Sequence, residues 1–327
     1  MVQVYETGDM DPDGYAACTA AMGAPTKFKE VRIAPYIKNS FKQLRVLADR
    51  MRREVKYSIS VEIGGFNTFV PLLVAMEMGI PFIDADGAGR AVPALDTLLL
   101  NVNGLPTSPL AMADDKGNRV SIELESAMDA SIGEAIGRNI CVGLGQLGGL
   151  SGWMLKKDEI EKNIPVGSVK LCQQVGRVFK TVQAADMFKA LKKEIPGIQC
   201  VKLCSGKVVE TQNAQEKGFD KGVVKIQDED GDIWASYFLN ENLVVTKNDQ
   251  PVMTVPDIIC YYNPKTNTPL SNADIVDKNG KPLVEEVTIG AVKVDPKWWN
   301  NGEAYVQKIW SYYFDILGFN GQKLIQY

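Results

Sequence analysis

The sequence has 327 residues, with 36 Lys and Arg against 40 Asp and Glu, so its formal net charge is −4. This length suits about two domains of roughly 100–200 residues each. The balanced charge excludes the single-sign field that drives binding to nucleic acid or to an anionic membrane. Histidine is absent, which excludes Ser-His and Cys-His dyads, a His-ligated metal and histidine acid–base chemistry.

The amino-terminal run MVQVYETGDMDPDG carries acids where a secretory signal needs basic and apolar residues, and no stretch reaches membrane-spanning length. We therefore expect a cytoplasmic protein with no membrane partner. Six cysteines are scattered along the chain, which is typical of reduced core thiols and not of a disulfide framework.

The first part of the chain alternates strand and helix patterns. Three strand-then-helix pairs are predicted, at 15–22 and 36–54, at 57–63 and 69–79, and at 81–86 and 92–100. A hairpin at 110–124 follows, and then helices at 125–142, 168–180 and 183–194. These elements predict a three-layer α/β/α domain over 1–197, with a mostly parallel sheet.

From residue 198 onward the pattern changes to short strands separated by turn signals at roughly 8–12-residue spacing. This spacing predicts a small β-barrel or sandwich over 198–295. The segment 296–327 reads as a final helix and tail that pack back on the body. Its aromatic residues Trp298, Trp299 and Trp310 suit either an interface or an ordinary packed tail.

Polar side chains crowd the ends of two neighbouring predicted strands. Glu62 stands beside Gly64, Gly65 and Asn67, and the next strand ends in DADGAGR, which contains Asp84, Asp86 and Arg90. Active sites of open α/β sheets lie at the carboxyl ends of their strands. Carboxylates there suit a general base or a cation site, and an amide near a helix start can donate to an anionic atom.

Each carboxylate taken alone could equally have a structural role, such as capping a turn. As a group, four polar residues between apolar runs favour function, because burying them without a partner is costly. We predict Glu62, Asp86 and Asn67 as catalytic and Gly64, Gly65, Arg90 and Asn242 as substrate-binding. Asp84 and Asp86 are the candidate ligands of a divalent metal ion, the one cofactor that the sequence leaves open.

The run GLGQLG at 143–148 has the spacing of a dinucleotide fingerprint. That motif requires a strand before it and a helix after it, whereas here a helix is predicted before it and none after it. We therefore expect no dinucleotide site there.

Seven blocks in chain order resemble one family, the S-methyl-thiohydantoin desulfurase family, whose members are often encoded with hydantoinase or oxoprolinase-type proteins. The blocks are AMGAPT (21–26), VEIGGFNTFVPLLVA (61–75), GIPFIDADGAGRAVPAL (79–95), SPLAMADDKGN (108–118), FLNENLVV (238–245), TVPDIIC (254–260) and VDPKWW (294–299). The resemblance implies an α/β/α domain followed by a β-barrel-like domain. It also implies hydrolysis of a C–S bond in an S-methylated thiohydantoin, giving a hydantoin and methanethiol.

Two functions follow from this resemblance. The first is a hydrolase of a small cyclic amide, with a thiohydantoin or hydantoin as substrate. The second is a non-catalytic binding or assembly subunit, which self-associates into a homo-oligomer or accompanies a hydantoinase-type partner. The family pattern opens with a glycine-rich run that this sequence lacks, and this difference favours the second function.

Overall fold

The computed structural model describes residues 2–23, 31–183, 186–216 and 219–327. Contacts divide the chain into two compact units, Met1–Lys170 with Pro296–Asn301, and Leu171–Asp295 with Gly302–Tyr327. The boundary therefore lies earlier than the predicted one at 197. The reason is packing: Val178 and Phe188 lie in one core cluster with Cys200 and Tyr262, so this helical segment belongs to the second unit.

The first unit contains one seven-stranded sheet. Its strands are β1 (Val4–Tyr5), β2 (Gly14–Gly23), β3 (Glu54–Ser60), β4 (Phe82–Asp86), β5 (Leu110–Ala113), β6 (Arg119–Ile122) and β7 (Leu147–Leu155), in the spatial order β1-β4-β3-β2-β7-β5-β6. The pairs within β1-β4-β3-β2 are parallel. The pairs made by β7 and by the predicted hairpin β5–β6 are antiparallel. The parallel half therefore comes from the three predicted β/α units.

The first unit has helices on both faces of this sheet. They are α1 (Ala34–Arg50), α2 (Phe69–Met78), α3 (Leu99–Val102), α4 (Ala130–Gly143) and α5 (Lys157–Asn163). A Cβ built on Gly148 of β7 would lie 3.5 Å from Cys141 of α4, and one on Gly149 would lie 2.3 Å from the Tyr36 carbonyl oxygen of α1. Successive strand residues point to opposite faces, so α1 and α4 cover opposite sides. This arrangement makes three layers.

The helix predicted at 92–100 is wrong in extent. The structure has a 3₁₀ turn at Leu95–Thr97 followed by the four-residue α3. The Thr97 hydroxyl donates to the Ala94 carbonyl oxygen at 2.6 Å. A short polar side chain bonded to its own backbone competes with regular helix, and the apolar pattern does not reveal this.

The second unit is built on one eight-stranded antiparallel sheet. Its strands are β8 (Cys200–Glu216), β9 (Phe219–Gln227), β10 (Ile233–Leu239), β11 (Glu241–Lys247), β12 (Gln250–Thr254), β13 (Ile258–Asn263), β14 (Thr268–Leu270) and β15 (Glu286–Val292). Their order is β12-β11-β10-β9-β8-β15-β13-β14. The remaining helices are α6 (Ser168–Thr181), α7 (Met187–Glu194), α8 (Asn272–Ile275) and α9 (Glu303–Ile316). The predicted class, an α/β domain followed by a β domain, is confirmed.

Two of the tryptophans near the carboxyl terminus are core residues. Trp298 and Trp310 have no exposed surface. Of the two alternatives predicted for these tryptophans, the ordinary packed tail is therefore right for this pair and the interface is wrong. The six cysteines are free thiols; four are buried, Cys260 is partly buried and Cys172 is exposed. Within the described ranges, no helix is both long and apolar enough to cross a membrane.

Candidate functional site

The polar block predicted from the sequence lies at the carboxyl edge of the parallel strands. Strands β3 and β4 run parallel, and Ser60 at the end of β3 stands opposite Asp86 at the end of β4. Glu62 follows two residues after β3. The carboxyl ends of parallel strands lie at the same edge of a sheet. Glu62 and Asp86 therefore lie at one edge, as expected.

Glu62 is half-buried, and both of its carboxylate oxygens accept a hydrogen bond. Its Oε1 accepts from the Asn67 side-chain amide at 2.7 Å, and its Oε2 accepts from the Val92 backbone N–H at 2.8 Å. Loss of solvent around the carboxyl raises the pKa of Glu62 above its ordinary value. The charge of Asp86 adds to this rise, while the two donors and the charge of Arg90 oppose it. A carboxylate with a raised pKa is suited to proton transfer near neutral pH.

Asn67 links this carboxylate to a third strand. Its Oδ1 accepts from the backbone N–H of Ala21 in β2 at 3.1 Å, while its Nδ2 donates to Glu62. A side-chain amide has two N–H donors, so one donor remains after the bond to Glu62. Ala21 opens the AMGAPT block, whose residues 24–26 lie outside the described residues.

Asp86 is fully buried and holds the backbone that follows it. Its Oδ1 accepts from the N–H groups of Ala88 and Gly89, and its Oδ2 accepts from the Ser168 hydroxyl. Gly89 has φ +72°, a left-handed conformation that favours glycine. The carbonyl oxygen of Ala88 in the same turn accepts from the Trp298 indole N–H at 2.9 Å. Asp86 therefore shapes the DADGAGR turn, the structural role that the sequence left open.

Asp84 also has a structural task, at the start of α6. Its two oxygens accept from the N–H groups of Val169 at 2.7 Å and Lys170 at 3.2 Å. The N–H groups in the first turn of a helix have no acceptor within the helix, and a carboxylate can accept from them.

The carboxylates considered for a divalent metal do not fit one. The oxygens of Asp84 and Asp86 face protein N–H and O–H donors, which is the wrong polarity for a cation site. In the part of the chain that the structure describes, no group of three or more His, Cys, Asp or Glu could hold a metal ion.

Arg90 is buried, with 4% of its surface exposed, and its Nε donates to the Ala91 carbonyl oxygen at 2.8 Å. Its positive charge acts on the Glu62 carboxyl, so the two residues belong to one electrostatic site. The structure therefore brings together Glu62, Asn67, Asp86 and Arg90.

The two glycines after β3 differ. The Gly64 N–H donates to the Thr68 hydroxyl at 2.8 Å, so it is already occupied by the protein. Gly65 is exposed, and a Cβ there would meet nothing within 4 Å. Of the two predicted backbone donors, Gly65 suits a ligand better.

Asn242 lies in β11 of the second unit and is 8% exposed. Its Nδ2 donates to the Ile259 carbonyl oxygen at 3.1 Å, and its Oδ1 accepts from the Tyr261 hydroxyl at 2.9 Å. These bonds give Asn242 a structural role within its own sheet, and its predicted contact with a substrate stays a prediction.

The GLGQLG run follows a helix and leads into a strand, in agreement with the prediction of a helix before it and none after it. Helix α4 ends at Gly143 inside it and strand β7 begins at Leu147, so no helix follows the glycines. The fingerprint requires the reverse order, strand and then helix.

Sequence reasoning missed four residues that hold the site, namely Thr68, Val92, Ser168 and Trp298. Val92 acts through its backbone, which no side-chain pattern reports. Thr68, Val92 and Trp298 each lie in one of the quoted family blocks, which is the signal that could have found them, whereas Ser168 lies outside every block.

The fold and this edge of the sheet define a two-unit α/β plus β protein with a carboxylate and amide site at the ends of parallel strands. Models of the S-Me-THD-like N-terminal domain and the S-Me-THD-like C-terminal domain match residues 1–124 and 128–305. The chain belongs to the S-Me-THD-like family, the family that its sequence blocks indicate.

A crystal structure of a protein from Chromobacterium violaceum has a similar fold. The two chains are 24% identical, and the TM-score is 0.82 over 98% of this chain and 86% of that one. No curated protein matches this chain.

Proposed function

We propose that the chain is a hydrolase that cleaves the C–S bond of an S-methyl-thiohydantoin or a closely related hydantoin-like compound. The observation that carries the proposal is Glu62, a carboxylate with a raised pKa held by Asn67 and Val92 beside a buried arginine. Family membership supports a role related to thiohydantoins.

In this proposal Glu62 transfers protons at the ring carbon that bears sulfur. Glu62 takes a proton from water as the water oxygen bonds to that carbon, and the C=N electrons move to the ring nitrogen, which receives the proton from Glu62. The hydroxyl proton then passes through Glu62 to sulfur as the carbonyl forms and the C–S bond breaks. The products are a hydantoin and methanethiol, and Glu62 ends as a carboxylate.

Four neighbouring residues complete the proposed site. The second Asn67 N–H and the exposed Gly65 backbone would stabilise negative charge that develops on the ring. Arg90 would orient a carboxylate on the substrate through its charge. Asp86 is assigned a positioning role, because its oxygens hold the turn at Ala88 and Gly89.

The test is release of methanethiol from an S-methyl-thiohydantoin by the purified chain, measured in the headspace. We expect Glu62→Gln to lower kcat/KM by about 10²–10⁴-fold, the usual range for a general base. Glu123→Gln removes an exposed carboxylate elsewhere in the unit and is the matched control. Full activity of Glu62→Gln would contradict the role of Glu62, and absence of release would contradict the reaction.

A second candidate is a non-catalytic binding or assembly subunit. The observation that favours it is the internal bonding of the block, in which Glu62, Asn67 and Asp86 are each hydrogen-bonded to protein groups. Light scattering of the chain alone and with a hydantoinase-type partner tests it. A complex formed by a chain that releases no methanethiol would support this candidate over the first.

A further inference from the structure

A small cavity opens at the other edge of the first sheet, away from Glu62. Its volume is about 90 Å³, roughly the share of three liquid waters at about 30 Å³ each. It is lined by Tyr15, Arg53, Pro106, Ser108, Pro109, Trp153, Met154, Lys156 and Glu159.

The position of this cavity separates it from the site already described. Tyr15 is the second residue of β2, and Arg53 directly precedes β3, so both mark the amino-terminal edge of the parallel strands. Glu62 and Asp86 lie at the carboxyl edge. A ligand in this cavity would therefore not occupy the proposed hydrolase site.

Two cations converge on one aromatic ring in the cavity wall. The Arg53 guanidinium carbon and the Lys156 Nζ each lie 5.4 Å from the centroid of the Tyr15 ring. Glu159 is the single acidic residue of the lining, and its carboxylate accepts from the Lys156 backbone N–H at 2.7 Å. Among the described residues, neither Arg53 nor Lys156 forms an ion pair. The ionised lining groups therefore leave one net positive charge.

Trp153 gives a second, independent signal. Ala17 pairs with Met154 and Cys18 pairs with Gly152, so Trp153 is the extra residue of a β-bulge in β7. Its φ of +45° is unusual for an aromatic residue, and its side chain is only 2% exposed. The indole N–H has no hydrogen-bond partner in the part of the chain that is described. A buried donor without an acceptor is costly. The indole nitrogen has almost no accessible surface, so an acceptor bound in the cavity would satisfy it after a shift of the indole ring.

We propose that this cavity binds a small aliphatic monocarboxylate. The carboxylate would bind to Arg53 and Lys156 and, with a shift of the indole ring, accept from the Trp153 indole N–H. The carbon end would contact the apolar walls formed by Pro106, Pro109 and Met154. One net positive charge matches a monoanion, and the Glu159 carboxylate disfavours a dianion such as phosphate.

Calorimetric titration of the purified chain with sodium propionate, at fixed ionic strength in chloride buffer, tests the proposal. We expect one site per chain and weaker binding in Arg53→Met and Lys156→Met, by about tenfold each. Lys157→Met is the matched control, since Lys157 lies next to Lys156 and outside the lining; its binding should equal that of the wild type. Trp153→Phe tests the indole donor and should also weaken binding.

Three results would overturn the proposal. They are no binding of propionate at millimolar concentration, unchanged binding in both Arg53→Met and Lys156→Met, and tighter binding of inorganic phosphate than of propionate. The two cation variants change partly exposed side chains, so they report on the site even if Trp153→Phe fails to fold. None of these results depends on methanethiol release, so failure here leaves the proposed hydrolase activity untouched.

Discussion

The Asn67 side-chain amide donates to Glu62 Oε1 at 2.7 Å and accepts from the Ala21 backbone N–H at 3.1 Å. One short side chain thus fixes a carboxylate at the end of β3 to the neighbouring strand β2. The same bond stabilises the charged form of Glu62, against the effect of burial.

Asn67→Ala is expected to move the acidic limb of the pH–activity profile to higher pH. Burial already raises the pKa of Glu62, and the variant removes the donor that opposes this rise. A general base works when deprotonated, so the variant should lose activity at a pH where the wild type is still active. The measurement is kcat/KM against pH. Asn139→Ala, which removes an exposed amide bonded to Ala135 of its own helix, should leave the limb in place.

The stability of the fold should also depend on the ionisation of Glu62. Activity requires the deprotonated carboxylate, whereas stability should fall as the carboxyl loses its proton. Because the folded pKa of Glu62 is raised, its contribution is fully present below the ordinary value of 4.5 and is lost as pH rises through the raised pKa. Glu62→Gln cannot titrate there. We therefore expect the wild type to lose stability relative to Glu62→Gln as pH rises. Urea unfolding of both proteins across this range measures the difference, and a difference that stays constant with pH would contradict the raised pKa.

Many of the correct predictions came from local sequence patterns and from the topology of the strands. The apolar run over 15–22 is strand β2, and the helical spacing over 36–54 and 69–79 gives α1 and α2 with small errors at their ends. Parallel strands then place Glu62 and Asp86 on one edge without further information. These predictions rest on periodicity and on one rule of sheet topology.

The remainder depends on contacts between residues distant in sequence. Asp86 receives the Ser168 hydroxyl from 82 positions away, and Ala88 receives the Trp298 indole N–H from 210 positions away. No local pattern encodes these partners, so Asp86 looked as available for catalysis as Glu62. The cavity beside Trp153 was missed for a similar reason, because its wall residues Tyr15 and Trp153 come from β2 and β7, which meet only in the folded sheet.

Trp298→Phe should destabilise the turn that contains Asp86 and Arg90. The variant keeps an aromatic ring in a fully buried position and removes the indole N–H that donates to Ala88. A buried carbonyl left without this donor costs about 1–3 kcal/mol of unfolding free energy. Urea unfolding measures the loss, and Trp299→Phe, a change at a partly exposed neighbour, is the control. Equal stability of the two variants would show that the indole bond is dispensable.

Asp84→Ala separates a helix cap from a metal ligand. The wild-type carboxylate accepts from Val169 and Lys170, so the variant should lose about 0.5–2 kcal/mol, as other helix caps do. Thermal unfolding before and after dialysis against a chelator should give the same midpoint for the wild type. If added Mg²⁺ stabilised the wild type and had no effect on Asp84→Ala, the capping role would be the wrong one.

Gly290→Ala should disrupt the core of the second unit. A Cβ at Gly290 of β15 would lie 1.8 Å from Cζ of Phe188, and this ring is buried against Tyr262 with centroids 5.9 Å apart. The ring cannot retreat without disturbing that packing, so the expected loss is about 1–3 kcal/mol.

The double variant Gly290→Ala with Phe188→Leu tests whether the Phe188 ring is the cause of that loss. A smaller side chain at 188 makes room for the added methyl group, so the loss from Gly290→Ala should shrink in the Phe188→Leu background. Unfolding free energies of the four proteins in this cycle should show a favourable interaction above about 0.5 kcal/mol. Gly176→Ala in α6 is the control, because a Cβ there meets nothing within 4 Å. Simple additivity of the two changes would mean that Gly290 is required for another reason.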